Sequence, residues 1–218
     1  GITSKMNSLC VAMFMASSKI VMMLLDAGLN PYNCADGAGI DPFMFACTSA
    51  QIENVRSWLQ YTKTWDVNRR NTFNGSTALH TVLYMCSSKR TEEIVGILIK
   101  EGNSRVDMVN DRGSSILMNT VENEDVDPSV LGRILRHVKN VNRRRQPRTL
   151  KWHLIDNAVR RIKSKEGDLF HFLARESGAT ALHAAVGFYY MVLNHHYTLI
   201  SSSLILIIRL KSNSKYIQ

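Results

Sequence analysis

The side chains able to do chemistry in this 218-residue chain are scattered rather than grouped. His80 and His183 each stand three positions after a threonine, in Thr77-Ala78-Leu79-His80 and Thr180-Ala181-Leu182-His183. An imidazole so placed becomes a base or a ligand only beside a carboxylate or thiol, and neither stretch supplies one. His195 and His196 are adjacent, so on a helix they diverge and cannot chelate together; no metal site is expected. Cys10, Cys34, Cys47 and Cys86 form no CxxC pair and read as reduced, mostly buried thiols of a cytosolic or nuclear protein. Gly37-Ala38-Gly39 opens like a dinucleotide fingerprint but lacks the third glycine and a preceding strand, which makes it a turn. Asn74-Gly75-Ser76 matches a glycosylation sequon, yet Asn-Gly is first of all a turn pair suited to positive φ. The nucleophile elbow, the phosphate-binding loop, the zinc-protease helix and the kinase set are all missing. No catalytic residue, no cofactor and no enzyme activity are expected.

The elements around the two histidines repeat. Gly75-Ser76-Thr77-Ala78-Leu79-His80 returns as Gly178-Ala179-Thr180-Ala181-Leu182-His183, and Ala184-Ala185 follow the second copy. Weaker copies are Asn7-Ser8-Leu9, Asp41-Pro42-Phe43 and Gly113-Ser114-Ser115-Ile116-Leu117. The marker positions Leu9, Phe43, Leu79, Leu117 and Leu182 are 34, 36, 38 and 65 residues apart. The first three gaps suit a unit of about 33 residues. The last is close to two units, so a degenerate unit is expected to begin near Leu150. A second helix follows each marker, with apolar residues at i, i+3 and i+4. They are Val21, Leu24, Leu25; Val55, Trp58, Leu59; Val95, Leu98, Ile99; and Leu131, Ile134, Leu135. Leu169, Phe172 and Leu173 supply the same triplet in the degenerate unit. Gly28 and Gly102 follow their triplets by three residues, where a left-handed helix C-cap is expected.

These signatures resemble the G-x-T-P-L-H-x-A-A pattern of ankyrin repeats, with Ala in the proline position of the two strongest copies. The resemblance spans about residues 4–186 and implies an all-α fold. That fold is an ankyrin-repeat helical solenoid of about five stacked helix-turn-helix units with hairpin-like fingers. Cys10 and Met44 replace the family's histidine, and an irregular unit at about 140–176 lacks the signature. In such a fold Thr77, Leu79, His80, Thr180, Leu182 and His183 are structural: the threonines cap helices and the histidines bridge neighbouring repeats. The fingers and inner helices of the family hold protein partners. Here the longest finger, Trp65 to Asn74, and its counterpart at Val109 to Arg112 nominate Arg69, Arg70, Phe73 and Arg112 as partner-binding residues.

Charge is concentrated in one place. The chain carries +9, of which residues 133–165 contribute +11, with Asp156 their only acid. Arg143, Arg144, Arg145, Arg148, Arg160, Arg161 and Lys163 form a basic patch that suits nuclear import, a nucleic acid, an acidic partner or an anionic lipid surface. A solvated loop is the plain alternative. Residues 177–208 carry no formal charge and are followed by Arg209 and Lys211. Asn194 and the histidine pair argue against a spanning helix in the apolar tail, 187–218, so a membrane tether is the less favoured reading. Gly1 opens the chain, which fits a fragment or a processed product, and no basic-then-apolar leader is visible. The expectation is a non-catalytic interaction scaffold, cytoplasmic or nuclear. The alternatives are a nucleic-acid-associated factor acting through 133–165 and the ankyrin part of a membrane-tethered protein.

Overall fold

A computed structural model describes residues 6–86, 90–123, 125–161 and 177–186. Those residues are helical and carry no strand; one isolated antiparallel bridge joins Val109 to Ser115. Helices come in pairs. The pairs are α1 (Ser8–Met15) with α2 (Ser18–Asp26), α3 (Pro42–Thr48) with α4 (Ile52–Tyr61), α5 (Ala78–Met85) with α6 (Thr91–Lys100), and α7 (Ile116–Val121) with α8 (Pro128–Leu135). A ninth helix, α9 (Leu150–Arg161), and a short helix at 181–186 follow.

The pairs pack side by side in two rows. Helix α1 meets α3, α3 meets α5 and α5 meets α7 in the first row; α2, α4, α6 and α8 succeed one another in the second. One continuous core runs between the rows, through Leu9, Phe43, Leu79 and Leu117 of the first and Val21, Val55, Val95 and Leu131 of the second. No single pair could bury such a face alone, so each unit is stabilised by its neighbours.

Local chemistry explains where the first-row helices begin. Asn7, Asp41, Thr77 and Ser115 stand at the N-caps in extended conformation, and their side chains accept from the N–H groups of Cys10, Met44, His80 and Met118. Each such cap is worth about 1 kcal/mol. Helix ends are tied across units. The Asn54 amide donates to the Met13 and Ala16 carbonyls at the end of α1, and the Asn123 amide to those of Leu83 and Cys86 at the end of α5. Carbonyls that a helix leaves orphaned are thereby satisfied by the next unit.

Two local expectations need correction. Gly28 is left-handed at the end of α2, with φ 92°, but after α6 the left-handed residue is Asn103, at φ 53°, and not Gly102. Asparagine tolerates that region, so the C-cap shifts by one position. Leu182 is only half-buried, whereas Leu79 is 1% exposed. Among the described residues no helix follows 186 to cover it, and Ala181 makes the core contact instead. No helix among the described residues is long and apolar enough to cross a membrane. The tail, 187–218, and the triplet Leu169, Phe172 and Leu173 lie outside the described residues.

Candidate functional site

The loops between units are built on one turn. In the first, the Asp36 N–H donates to the Ile40 carbonyl and the Gly39 N–H to the Asp36 carbonyl. Asn71 with Ser76 and Gly75 repeats the arrangement, as does Asn110 with Ser114 and Gly113. In every case the glycine is left-handed and stands two positions before the N-cap of the next first-row helix. The fingers are also bonded to one another. The N–H groups of Thr72 and Phe73 donate to the Ala38 carbonyl, and that of Asp111 to the Asn74 carbonyl.

The fourth finger has the same bonds made by distant residues. The Arg145 N–H donates to the Ala179 carbonyl and the Gly178 N–H returns to the Arg145 carbonyl, each at 2.7 Å. Gly178 is left-handed at φ 82°, and Thr180, two positions on, starts the helix at 181–186. Arg145 therefore occupies the position of Asp36, Asn71 and Asn110: the chain leaves this turn after Arg145 and re-enters it at Gly178, and of the excursion between them 146–161 and 177 are described. Of the irregular unit expected at about 140–176, the described residues hold one helix, α9; the rest lies outside them.

The described part of the excursion lies on the fingers. The Arg148 N–H donates to the Asp111 carbonyl, and Gly113 faces the Gln146 backbone so closely that no Cβ would fit. At the start of α9 the Trp152 ring meets Phe73 edge-on at 6.4 Å and lies 5.5 Å beneath the Arg112 guanidinium. Lys151 donates to the Phe73 carbonyl at 3.1 Å and sits 5.0 Å over its ring. Phe73 and Arg112, nominated for a partner, are thus brought together and engaged by the chain's own α9; Phe73 remains 47% exposed.

Arg69 and Arg70 are held differently. Arg69 stacks on Trp65 at 4.7 Å, reaches Tyr32 at 5.8 Å and pairs with Asp41 at 3.7 Å. Arg70 bonds the Asp111 carboxylate at 2.7 Å and the Val109 carbonyl at 2.9 Å, bracing one finger against the next. Trp65 is buried against Trp58 and Phe43, so Arg69 closes an aromatic cluster. Sequence reasoning passed over Asp41, which burial pushes up to about 6 in pKa, against the N–H of Met44 and the charge of Arg69.

The threonine–histidine pairs do what their spacing suggests within a unit. Thr77 Oγ1 and His80 Nδ1 are 2.9 Å apart, and Thr180 Oγ1 and His183 Nδ1 are 2.7 Å apart. The Thr77 N–H donates to Nδ1, which places the proton of His80 on Nε2. Burial, helped by the charge of Arg70, pushes His80 down to about 3, while the Ser114 and Met108 carbonyls act the other way. It is neutral at physiological pH. His183 is exposed. The cysteines are buried free thiols, and burial pushes Cys10 up to about 12 and Cys47 well above its ordinary value, so neither is a nucleophile.

The basic segment separates into two populations. Arg143, Arg144 and Arg148 are exposed, the first two also donating to the Asp107 and Gly178 carbonyls. Arg145 is 3% exposed and ion-paired with the equally buried Glu122, so it belongs to no surface patch. Its neighbours in sequence gave no hint of this, because the partner is supplied by the unit before. Arg160 and Arg161 end α9 with side chains outside the described set, and Lys163 lies beyond it.

One surface escaped the sequence reading. On the first row, Val11, Phe14 and Met15 of α1 and Tyr84 and Met85 of α5 are exposed, at 38–67%. Phe14 meets Phe45 of α3 edge-on at 6.3 Å, continuing the strip across units. The signal was present as aromatics seven residues after the N-caps Asn7 and Thr77. Comparison with known proteins found no family model that matches the chain and no curated protein similar to it.

Proposed function

We propose that the chain is a non-catalytic interaction scaffold of the ankyrin-repeat type, binding a partner protein along the first helix row and the fingers. The observation that carries this reading is the regular turn of Asp36–Ile40, Asn71–Ser76 and Asn110–Ser114, which sets successive helix pairs in one register. A rigid row built that way presents a preformed strip, so binding costs little ordering entropy. The strip from Phe14 through Phe45 to Tyr84 has the aromatic character of protein-binding surfaces. The buried, shifted groups Asp41 and His80 sit in caps and finger contacts, which fits a structural role for both.

The test is comparative capture from native cells with the full chain, Phe14→Glu, Tyr84→Glu and a second-row control, Met23→Glu. All three positions are exposed, so all three variants should melt like the parent. The expected result is a saturable protein partner lost with the first-row changes and kept with Met23→Glu. A partner set indifferent to both first-row changes would overturn the reading.

A further inference from the structure

The three regular fingers cross from the turn's first residue to its glycine with two or three residues: Gly37-Ala38, Thr72-Phe73-Asn74 and Asp111-Arg112. The fourth uses residues 146–177 for the same step, although Arg145 and Gly178 already close the turn and the helix at 181–186 already joins the core through Ala181. We propose that helix α9, in the described part of this stretch, is a docking element that receives an acidic, amphipathic helical segment of a partner protein. The proposal deepens the scaffold reading above and rests on it.

Helix α9 has one seated side and one open side. Trp152 packs against Phe73 and Arg112, and both it and Asp156, one turn further on along the same face, are part-buried. Leu150, Leu154 and Ala158 recur one turn apart on the opposite side and are exposed, the first two at 75% and 59%. Ile155 borders them at 39%. Spacing of i, i+4 and i+8 is the geometry by which one helix lies along another. The seat through Lys151 and Arg148 fixes which side is offered.

Charge selects the occupant. Exposed Lys139, Arg143, Arg144 and Arg148 lead into α9, within a segment that is +11 from 133 to 165. A segment with acids flanking an apolar stripe would match both features and would be steered to the site. Two other anionic partners fit less well. Single-stranded nucleic acid needs aromatic faces free for stacking, but Trp152 is turned onto Phe73. A membrane-surface helix places its tryptophan among headgroups, and this one faces protein.

The experiment is fluorescence anisotropy with a labelled 18-residue helical peptide bearing leucines on one face and glutamates on the rest. It is titrated with the full chain, with Leu154→Asp, and with a chain in which residues 146–177 are replaced by Asp-Arg, the sequence that bridges the preceding finger. Leu154 is exposed, so its variant keeps the fold whether or not the shortened chain does. The expected result is saturable binding weakened about tenfold or more by Leu154→Asp, the scale of one lost apolar anchor. The shortened chain should bind no peptide. Equal binding by the parent and Leu154→Asp, or no binding at all, would overturn the docking element. So would preferential capture of phosphatidylserine vesicles or single-stranded DNA. Peptide binding that is lost with Phe14→Glu but kept with Leu154→Asp would sink this proposal and leave the scaffold reading standing.

Discussion

Gly178 donates its N–H to the carbonyl of Arg145 at 2.7 Å across 33 positions, closing the turn that Gly113 closes on Asn110 at 3.0 Å across three. A hydrogen bond and a left-handed glycine thus define a unit boundary that no regular spacing marks. The buried pair Arg145–Glu122 sits beneath the same turn. One residue is therefore both the backbone hinge of the excursion and a charge held in the core.

That burial gives a sharp expectation. Arg145→Ala or Glu122→Ala removes one member of a buried ion pair and should each destabilise by about 3–5 kcal/mol. The double change Arg145→Ala with Glu122→Ala should cost much less than the sum. Urea unfolding of the four proteins measures the coupling. Additive costs would mean that the two side chains act separately.

Leu79 and Leu182 occupy the same place in two copies of one signature, yet they should respond differently. Leu79→Ala removes a fully buried side chain and should cost about 2–5 kcal/mol. Leu182→Ala, at a half-buried position, should cost less than half as much by the same transfer argument. Equal shifts in denaturation midpoint would place Leu182 in a core as complete as that around Leu79.

Much of the fold was legible in the sequence because the caps carry it. Thr77 and Thr180, Gly75 and Gly178, and the four described triplets are short-range patterns, and short-range patterns survive in a single sequence. The excursion was not legible, since its boundary is a pairing of Arg145 with Gly178, 33 positions apart. The candidate site was legible in part. Phe73 and Arg112 do converge, but on Trp152 of the same chain, while Arg69 closes an aromatic cluster and Arg70 braces one finger against the next. A run of arginines read as a patch also hid Arg145, because burial is decided by Glu122 in another helix pair.

Two buried groups make opposite contributions to pH dependence. His80 is pushed down to about 3 from an ordinary 6.5, so the unfolded chain takes up the proton first and stability is lost as pH falls through that interval. Asp41 is raised from 3.8 to about 6, so its contribution is present below 3.8 and lost as pH rises through 6. His80→Gln should flatten the acid-side loss. Asp41→Asn keeps an oxygen at the cap and should gain on the parent by about 2–3 kcal/mol between pH 4 and pH 7.5. Thermal melts across that range check both; parallel curves for parent and variants would contradict the assignments.

The closing of one turn by Arg145 and Gly178 is tested most directly by native-state amide hydrogen exchange at the two residues. Both N–H groups are bonded within one turn, so both should be strongly protected and should open with the same free energy. Exchange of Gly178 at the rate of an unstructured chain, with Arg145 protected or not, would contradict that arrangement.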